Sequence, residues 1–129
     1  MKHSSRFLAL VEDAKSRVRE TTVELVREEF DDGAAFTLVD TREESEWNAA
    51  RAAGAIHLGK GIIERDIERV MPDVDAKIVL YCAGGYRSAL AADALQRMGY
   101  RNVLSLAGGW RAWCRSGMPV DETPLAGPG

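Results

Sequence analysis

The apolar residues of this chain fall into two patterns that alternate along the sequence. Short continuous apolar runs are typical of strands buried on both faces, and they predict strands at 36–40, 77–81 and 102–106. A shorter strand is predicted at 55–58. Apolar residues spaced three and four apart predict helices at 5–15, 21–30, 62–71 and 88–98, with shorter helices around Trp47 and Trp110. This alternation indicates an α/β fold whose mostly parallel sheet is covered by helices on both faces.

One polar stretch lies directly between a predicted strand and a predicted helix, and it reads Cys82-Ala83-Gly84-Gly85-Tyr86-Arg87-Ser88. Cys82 is therefore predicted at the carboxyl end of a strand, in a loop that leads into a helix N-terminus. The N–H groups of a first helical turn have no partner within the helix, and the helix dipole adds partial positive charge. We expect these N–H groups and Arg87 to stabilise a negatively charged sulfur.

The two glycines of this stretch strengthen that interpretation. Gly84 and Gly85 allow successive N–H groups to converge on one point, as in an anion-binding nest. The ordinary interpretation of a single cysteine at a strand end is a packed, buried side chain. A cysteine combined with two glycines, an arginine and a serine at a strand-to-helix turn favours a reactive thiol instead.

Composition and charge narrow the classes of function. A chain of 129 residues is expected to form one domain, and its net charge of −3 gives no general attraction to nucleic acid or anionic membranes. Two cysteines, Cys82 and Cys114, predict no disulfide framework, and with two distant histidines they predict no metal site; no cofactor is expected either. The apolar run 7–11 is too short for a signal peptide, so we predict a cytoplasmic protein.

The stretch around Cys82 resembles the active-site loop of single-domain rhodanese-like sulfurtransferases. The resemblance continues in the same order through further segments of the chain, at 38–43, 46–47, 54–57, 99–100, 102–103 and 106–110. It covers about residues 18–120 and implies a small, mostly parallel sheet of about five strands. Residues 1–17 are then a helical extension, and residues 121–129 are predicted to be a flexible tail.

The resemblance implies that Cys82 accepts a sulfane sulfur from thiosulfate or a similar anionic donor. The resulting Cys82 persulfide would pass its sulfur to a thiol or cyanide, or to a protein acceptor. The implied binding residues are the backbone groups of the loop and two arginines: Ala83, Gly84, Gly85, Tyr86, Arg87 and Arg42. Arg42 has a second interpretation, as a structural partner of Asp40 or Glu46.

Two alternatives to an enzyme of this kind are a persulfide carrier and a non-catalytic regulatory or sensing module. A phosphatase is disfavoured, because phosphatases of related fold place one residue more between cysteine and arginine than the four found here. The shorter loop makes a smaller cradle, which fits a single sulfur atom better than a tetrahedral phosphate.

Four further features of the sequence each predict a local structure or role. Where the family usually has Gly-His-Ile-Pro, this chain has Ala50-Arg51-Ala52-Ala53, which predicts a more helical approach to the strand at 55–58. His57 is expected to be a hydrogen-bonded structural residue, and Lys60 is a candidate for an anion pocket. The pair Gly108-Gly109 is expected to let the backbone approach the loop of Cys82 closely.

Overall fold

Strands and helices alternate along the chain as the hydrophobic pattern predicts. The computed structural model describes residues 3–125. Within them the strands are β1 Arg19–Thr21, β2 Thr37–Asp40, β3 Arg51–Ala52, β4 Ile56–His57, β5 Ile78–Tyr81, β6 Val103–Leu106 and β7 Val120–Asp121. The helices are α1 Ser5–Lys15, α2 Val23–Asp31, α3 Glu44–Ala49, α4 Ile63–Val70, α5 Tyr86–Arg97 and α6 Gly109–Arg115. None of these helices is both long enough and apolar enough to cross a bilayer.

Five of the strands form one parallel sheet in the order β1-β6-β5-β2-β4. The strand that precedes Cys82, β5, lies at its centre and pairs with β2 on one side and β6 on the other. A central parallel strand cannot turn directly into its neighbour, so each connection crosses over through a helix. The predicted α/β class and the five-stranded parallel sheet are confirmed.

Alternate residues of β5 face opposite sides of the sheet, and each side has its own apolar core. Ile78 and Leu80 pack with residues of α4 and α5, which cover one face. Val79 and Tyr81 pack with residues of α2 and α6, including the fully buried Trp113. Helices therefore cover both faces, which explains why the strand sequences are apolar throughout.

The N-terminal helix α1 packs against α5 and is tied to it by charge. Val11 and Ala14 of α1 are buried. Just after the helix, Arg17 donates two hydrogen bonds to the carboxylate of Asp93 in α5, from Nε at 3.0 Å and from Nη2 at 2.8 Å. Arg97 of α5 also donates to Asp93, at 2.9 Å. The predicted N-terminal extension is thus anchored on the domain.

The chain between α1 and α2 contains a strand that the sequence pattern did not predict. β1 pairs in parallel with β6 at the edge of the sheet. The helix expected from residue 21 therefore begins later, at Val23, and its N-cap is Thr22. Thr22 Oγ1 accepts a hydrogen bond from the N–H of Leu25 at 3.2 Å, which satisfies one of the free donors of the first turn.

The expectation of a helical segment at 50–53 is wrong. α3 ends at Ala49, and the next residues form β3, which pairs antiparallel with β7 in a separate two-stranded sheet. The carbonyl of Pro119 accepts hydrogen bonds from the N–H of Ala53 and from Nε1 of Trp113. The buried side chain of Arg51 donates to the carbonyl of Thr123.

These contacts involve the first residues of the segment 121–129, which the sequence predicts to be a flexible tail. Residues 120–123 take part in β-sheet pairing and in the hydrogen bond from Arg51. The remainder of the predicted tail falls partly on residues 126–129, which lie outside the described residues.

We predict that Asp93→Asn lowers the melting temperature at pH 7. Hydrogen bonding and charge from Arg17 lower the pKa of Asp93 below its usual range. A lowered folded-state pKa contributes stability above the unfolded value, about 4, and this stability is lost as the pH falls through the folded-state value. The difference from wild type should therefore shrink toward acid pH in thermal unfolding followed by circular dichroism.

The matched control is Asp75→Asn. Asp75 pairs with Arg101, but both side chains are largely exposed, at 61% and 69%. Exposed pairs contribute little, so this variant should melt close to wild type. A loss in Asp93→Asn that does not change with pH would show that the shape of the side chain, not its charge, matters at this contact.

Candidate active site

Cys82 follows β5 directly and lines a cleft of about 570 Å³ at the carboxyl edge of the sheet. Its side chain is only 1% exposed. The loop 82–88, called the Cys82 loop below, leads from β5 into α5, and Ala83, Gly84, Tyr86 and Arg87 line the same cleft. The predicted strand–loop–helix arrangement is present, with α5 beginning two residues earlier than expected.

Gly85 brings a main-chain donor to the sulfur. It is the N-cap of α5 and has a φ of +96°, a left-handed conformation that side chains rarely adopt. Its N–H donates a hydrogen bond to Sγ of Cys82 over 3.1 Å. With glycine at this position the chain can enter α5 within a few residues of Cys82, so the helix start lies next to the sulfur.

The start of α6 holds the Cys82 loop from the other side. The N–H of Trp110 donates to the carbonyl of Cys82 at 2.7 Å, and the N–H of Arg111 donates to the carbonyl of Ala83 at 3.2 Å. A Cβ atom on Gly109 would lie 2.3 Å from the Cys82 carbonyl oxygen, so only glycine permits this approach. The close approach that the sequence predicted for this glycine pair is present.

These two hydrogen bonds also orient the N–H groups of the Cys82 loop. In a trans peptide the C=O and N–H point in opposite directions. Because the carbonyls of Cys82 and Ala83 face α6, the N–H groups of Ala83 and Gly84 face away from it. Neither group donates to another protein atom within residues 3–125. The loop therefore presents free donors close to the sulfur, in addition to the Gly85 N–H.

Two buried serines lie behind the sulfur. Sγ of Cys82 is 3.5 Å from Oγ of Ser88, and Ser88 Oγ is 2.8 Å from Oγ of Ser105 in β6. Both serines are fully buried. When the sulfur is ionised, the Ser88 hydroxyl can donate to it and in turn accept from Ser105. Ser105 was not predicted as a site residue; the one signal for it in the sequence was a polar residue inside the apolar run 102–106.

Arg87 lies in the cleft, but a carboxylate neutralises its charge. Its guanidinium donates to both carboxylate oxygens of Glu46 in α3, at 3.0 and 3.3 Å, and Glu46 also lines the cleft. The hydrogen bond from Arg87 lowers the pKa of Glu46, and the same bond raises the pKa of Arg87. The sequence suggested Glu46 as a family-like residue and as a candidate partner of Arg42, and its pairing with Arg87 was missed.

Arg42 does not line this cleft, so the structure does not bring it together with Cys82. Its side chain is 3% exposed and donates to Asp40, with the shortest distance 2.7 Å, and to the carbonyl of Ala50. Its guanidinium also lies 4.5 Å from the centre of the Trp110 ring. The alternative interpretation of Arg42, as the structural partner of Asp40, describes the contacts present.

His57 and Lys60 also lie apart from Cys82. Nε2 of His57 is 2.8 Å from the carbonyl oxygen of Arg42, and its ring stacks on Trp47. Both residues line a different cleft, of about 340 Å³, beside Arg42. Cys114 is exposed on α6 and is not among the residues that line the Cys82 cleft.

The N-terminal segment formed by α1 and the two residues before it supplies a wall of the Cys82 cleft, which the sequence did not predict. His3, Ser4 and Phe7 all line it. The rings of His3 and Tyr86 meet edge-to-face with their centres 4.7 Å apart, and Phe7 lies 6.3 Å from Tyr86. A helix whose apolar positions fit ordinary packing gave no signal of this role.

Comparison with known proteins identifies the family. The model of the rhodanese-like domain matches residues 22–116. The chain belongs to the rhodanese-like sulfurtransferase family. It is 35% identical over 86 residues to the thiosulfate sulfurtransferase GlpE of Haemophilus influenzae, covering 67% of this chain and 80% of that protein.

A second relative is a sulfurtransferase of Allochromatium vinosum, 33% identical over 103 residues, and the match covers 80% of this chain and 94% of the relative. Among solved structures, a Rhodopseudomonas palustris protein of unknown function, described as a possible tyrosine phosphatase, superimposes with a TM-score of 0.82. That protein is 30% identical, and the match covers 94% of this chain and 98% of the other.

We predict that Gly109→Ala displaces the Cys82 loop. The added Cβ would overlap the carbonyl oxygen of Cys82, and either the loop or α6 must move. The control is Gly117→Ala at the other end of α6, where φ is also positive, +69°, but no atom lies within 4 Å of the added Cβ. In urea unfolding, Gly109→Ala should lose about 2 to 3 kcal/mol more than Gly117→Ala. Equal losses in the two variants would contradict a close approach at Gly109.

Proposed function

We propose that the protein transfers a sulfane sulfur from thiosulfate, or a similar small anionic donor, to a thiol or cyanide through a persulfide on Cys82. The observation that carries the proposal is the position of Sγ in the cleft, 3.1 Å from the N–H of Gly85. Membership of a sulfurtransferase family supports the reaction class. The identity of the donor and acceptor belongs to the proposal.

In the first half-reaction the Cys82 thiolate attacks the outer sulfur of thiosulfate. A new S–S bond forms on Cys82, the S–S bond of the donor breaks, and sulfite leaves with the bonding electron pair. The thiolate is the attacking form, so the step itself transfers no proton. The unpaired N–H groups of Ala83 and Gly84 are placed to stabilise negative charge on the terminal sulfur.

In the second half-reaction an acceptor thiolate or cyanide attacks the terminal sulfur. The persulfide bond breaks, and Cys82 leaves as a thiolate that again accepts the hydrogen bond of Gly85. The Ser88 hydroxyl can donate to the same sulfur. Because each half-reaction releases a product before the next substrate reacts, we expect ping-pong kinetics.

The burial of Cys82 favours a small acceptor over a protein surface. A side chain that is 1% exposed can be reached only by a nucleophile that enters the cleft. A protein acceptor would need a cysteine on an extended or terminal segment. We place the reaction in the cytoplasm, where a thiol stays reduced.

A phosphatase reaction has less support. Phosphatases of related fold hold a phosphate dianion with the N–H donors of a Cys-to-Arg loop and with the arginine at the end of that loop. In this loop the Gly85 N–H is already directed to the sulfur, and the Arg87 guanidinium is held by Glu46.

We predict that Cys82→Ala lowers thiosulfate:cyanide sulfur transfer at least about a thousandfold, since it removes the nucleophile. Cys114→Ser should stay within about twofold of wild type. Thiocyanate formation measures both, and circular dichroism checks the fold. Retained turnover in Cys82→Ala would refute the assignment, and a large loss in Cys114→Ser would show a role for the second thiol.

Mass spectrometry tests the persulfide directly and separates the alternatives. After incubation with thiosulfate, intact protein should gain one sulfur on Cys82 and lose it when a small thiol is added. Loading without release to small thiols would indicate a carrier that needs a protein acceptor. No loading would indicate a regulatory module and overturn the proposed function.

A further inference from the structure

The charges around the Cys82 cleft leave one arginine without a carboxylate. Arg87 is paired with Glu46 inside the cleft, and Arg42 is paired with Asp40 outside it. Arg111 of α6 lines the cleft and is exposed, and it forms no ion pair with any residue in the range 3–125. An unpaired guanidinium in a cleft that receives an anionic substrate is a candidate binding group.

Arg111 touches the Cys82 loop with both its backbone and its side chain. Its N–H donates to the carbonyl of Ala83. Its Nη1 lies 2.9 Å from the position that a Cβ on Gly84 would occupy. Any side chain at position 84 would therefore press on the guanidinium. The absence of a side chain at Gly84 allows the positive charge to lie directly against the loop that carries the nucleophile.

We propose that Arg111 is the anion-binding residue of this cleft and holds the oxygen atoms of an anionic sulfur donor. This inference rests on the proposed function and specifies how the donor is held. The planar guanidinium can bind two oxygens of a sulfonate group at once, while the outer sulfur faces Cys82 and the free N–H groups of the loop. Arg87 instead positions Glu46 and α3 through its ion pair.

The first test measures charge attraction without any sulfur transfer. In a Cys114→Ser background, Cys82 is alkylated with iodoacetate, which is anionic, and with iodoacetamide, which is neutral and of similar size. Arg111→Gln should lower the iodoacetate rate constant roughly tenfold and leave the iodoacetamide rate constant within about twofold. Equal effects on the two reagents would overturn the proposal, since they would indicate altered access or altered thiol reactivity.

The matched control is Arg115→Gln. Arg115 is an exposed arginine on the same helix, but it is not among the residues that line the cleft. It should change neither rate constant by more than about twofold. An equal decrease in both variants with iodoacetate would show a general effect of net charge and would overturn the assignment to Arg111.

The second test is steady-state transfer. Arg111→Gln should raise KM for thiosulfate roughly tenfold with kcat nearly unchanged, because it removes a binding group and not the nucleophile. Arg111→Lys keeps the charge but loses the planar fork, so its KM for thiosulfate should lie between those of wild type and Arg111→Gln. An intermediate KM of this kind would show that the effect of Arg111→Gln is not a folding defect. An unchanged KM in an active protein would overturn this inference alone. If the wild type transfers no sulfur, the proposed function fails, while the alkylation ratio still tests Arg111.

Discussion

The docking of α6 onto the Cys82 loop is the contact on which the geometry of the site depends. Two N–H groups of α6 donate to the carbonyls of Cys82 and Ala83. They fix two peptide planes at once, so the N–H groups on the opposite side of those planes are presented without partners. Gly109 makes the approach possible, because a single methyl group there would overlap the Cys82 carbonyl. The conformation of the Cys82 loop is thus fixed by α6, which follows it by more than 20 residues and packs on the side away from the free N–H groups.

The distribution of charge follows from the same arrangement. Three arginines in or near the site carry the positive charge that could attract an anion. Two of them are neutralised by carboxylates: Asp40 pairs with Arg42, and Glu46 pairs with Arg87. A buried or half-buried pair has its charge already satisfied and fixes local structure more than it binds ligands. The remaining cation, Arg111, is carried by the helix that holds the loop. Loop shape and positive charge therefore depend on one structural element.

Sequence pattern was sufficient for the parts of the fold that are set by local periodicity. The central strands and the long helices were predicted because their buried faces are continuous along the chain. Pairings between distant segments left no such pattern: β3 contains only two residues, and its partner β7 lies far along the chain. The burial of Arg51 had no signal in the local sequence, because its side chain donates to the carbonyl of Thr123, far along the chain. The edge strand β1 was missed for the same reason, since only β6 makes it a strand.

The site was likewise predictable where its residues are consecutive in sequence and not where distant segments meet. Residues 82–87 could be identified because they are consecutive, whereas Glu46, Ser105 and Arg111 reach the loop from three other elements. The N-terminal segment is the part of the site most distant from any sequence signal. The family match begins at residue 22, yet His3 and Phe7 line the cleft. The rings of His3, just before α1, and of Phe7 within it lie against Tyr86 of the loop. Just after α1, the ion pair of Arg17 with Asp93 ties this segment to α5. A boundary drawn at residue 18 would divide the cleft, and a protein cut there would keep Cys82 but lose one wall around it. Cys82 belongs to the shared family fold, and part of the cleft around it is built by a segment outside the family match.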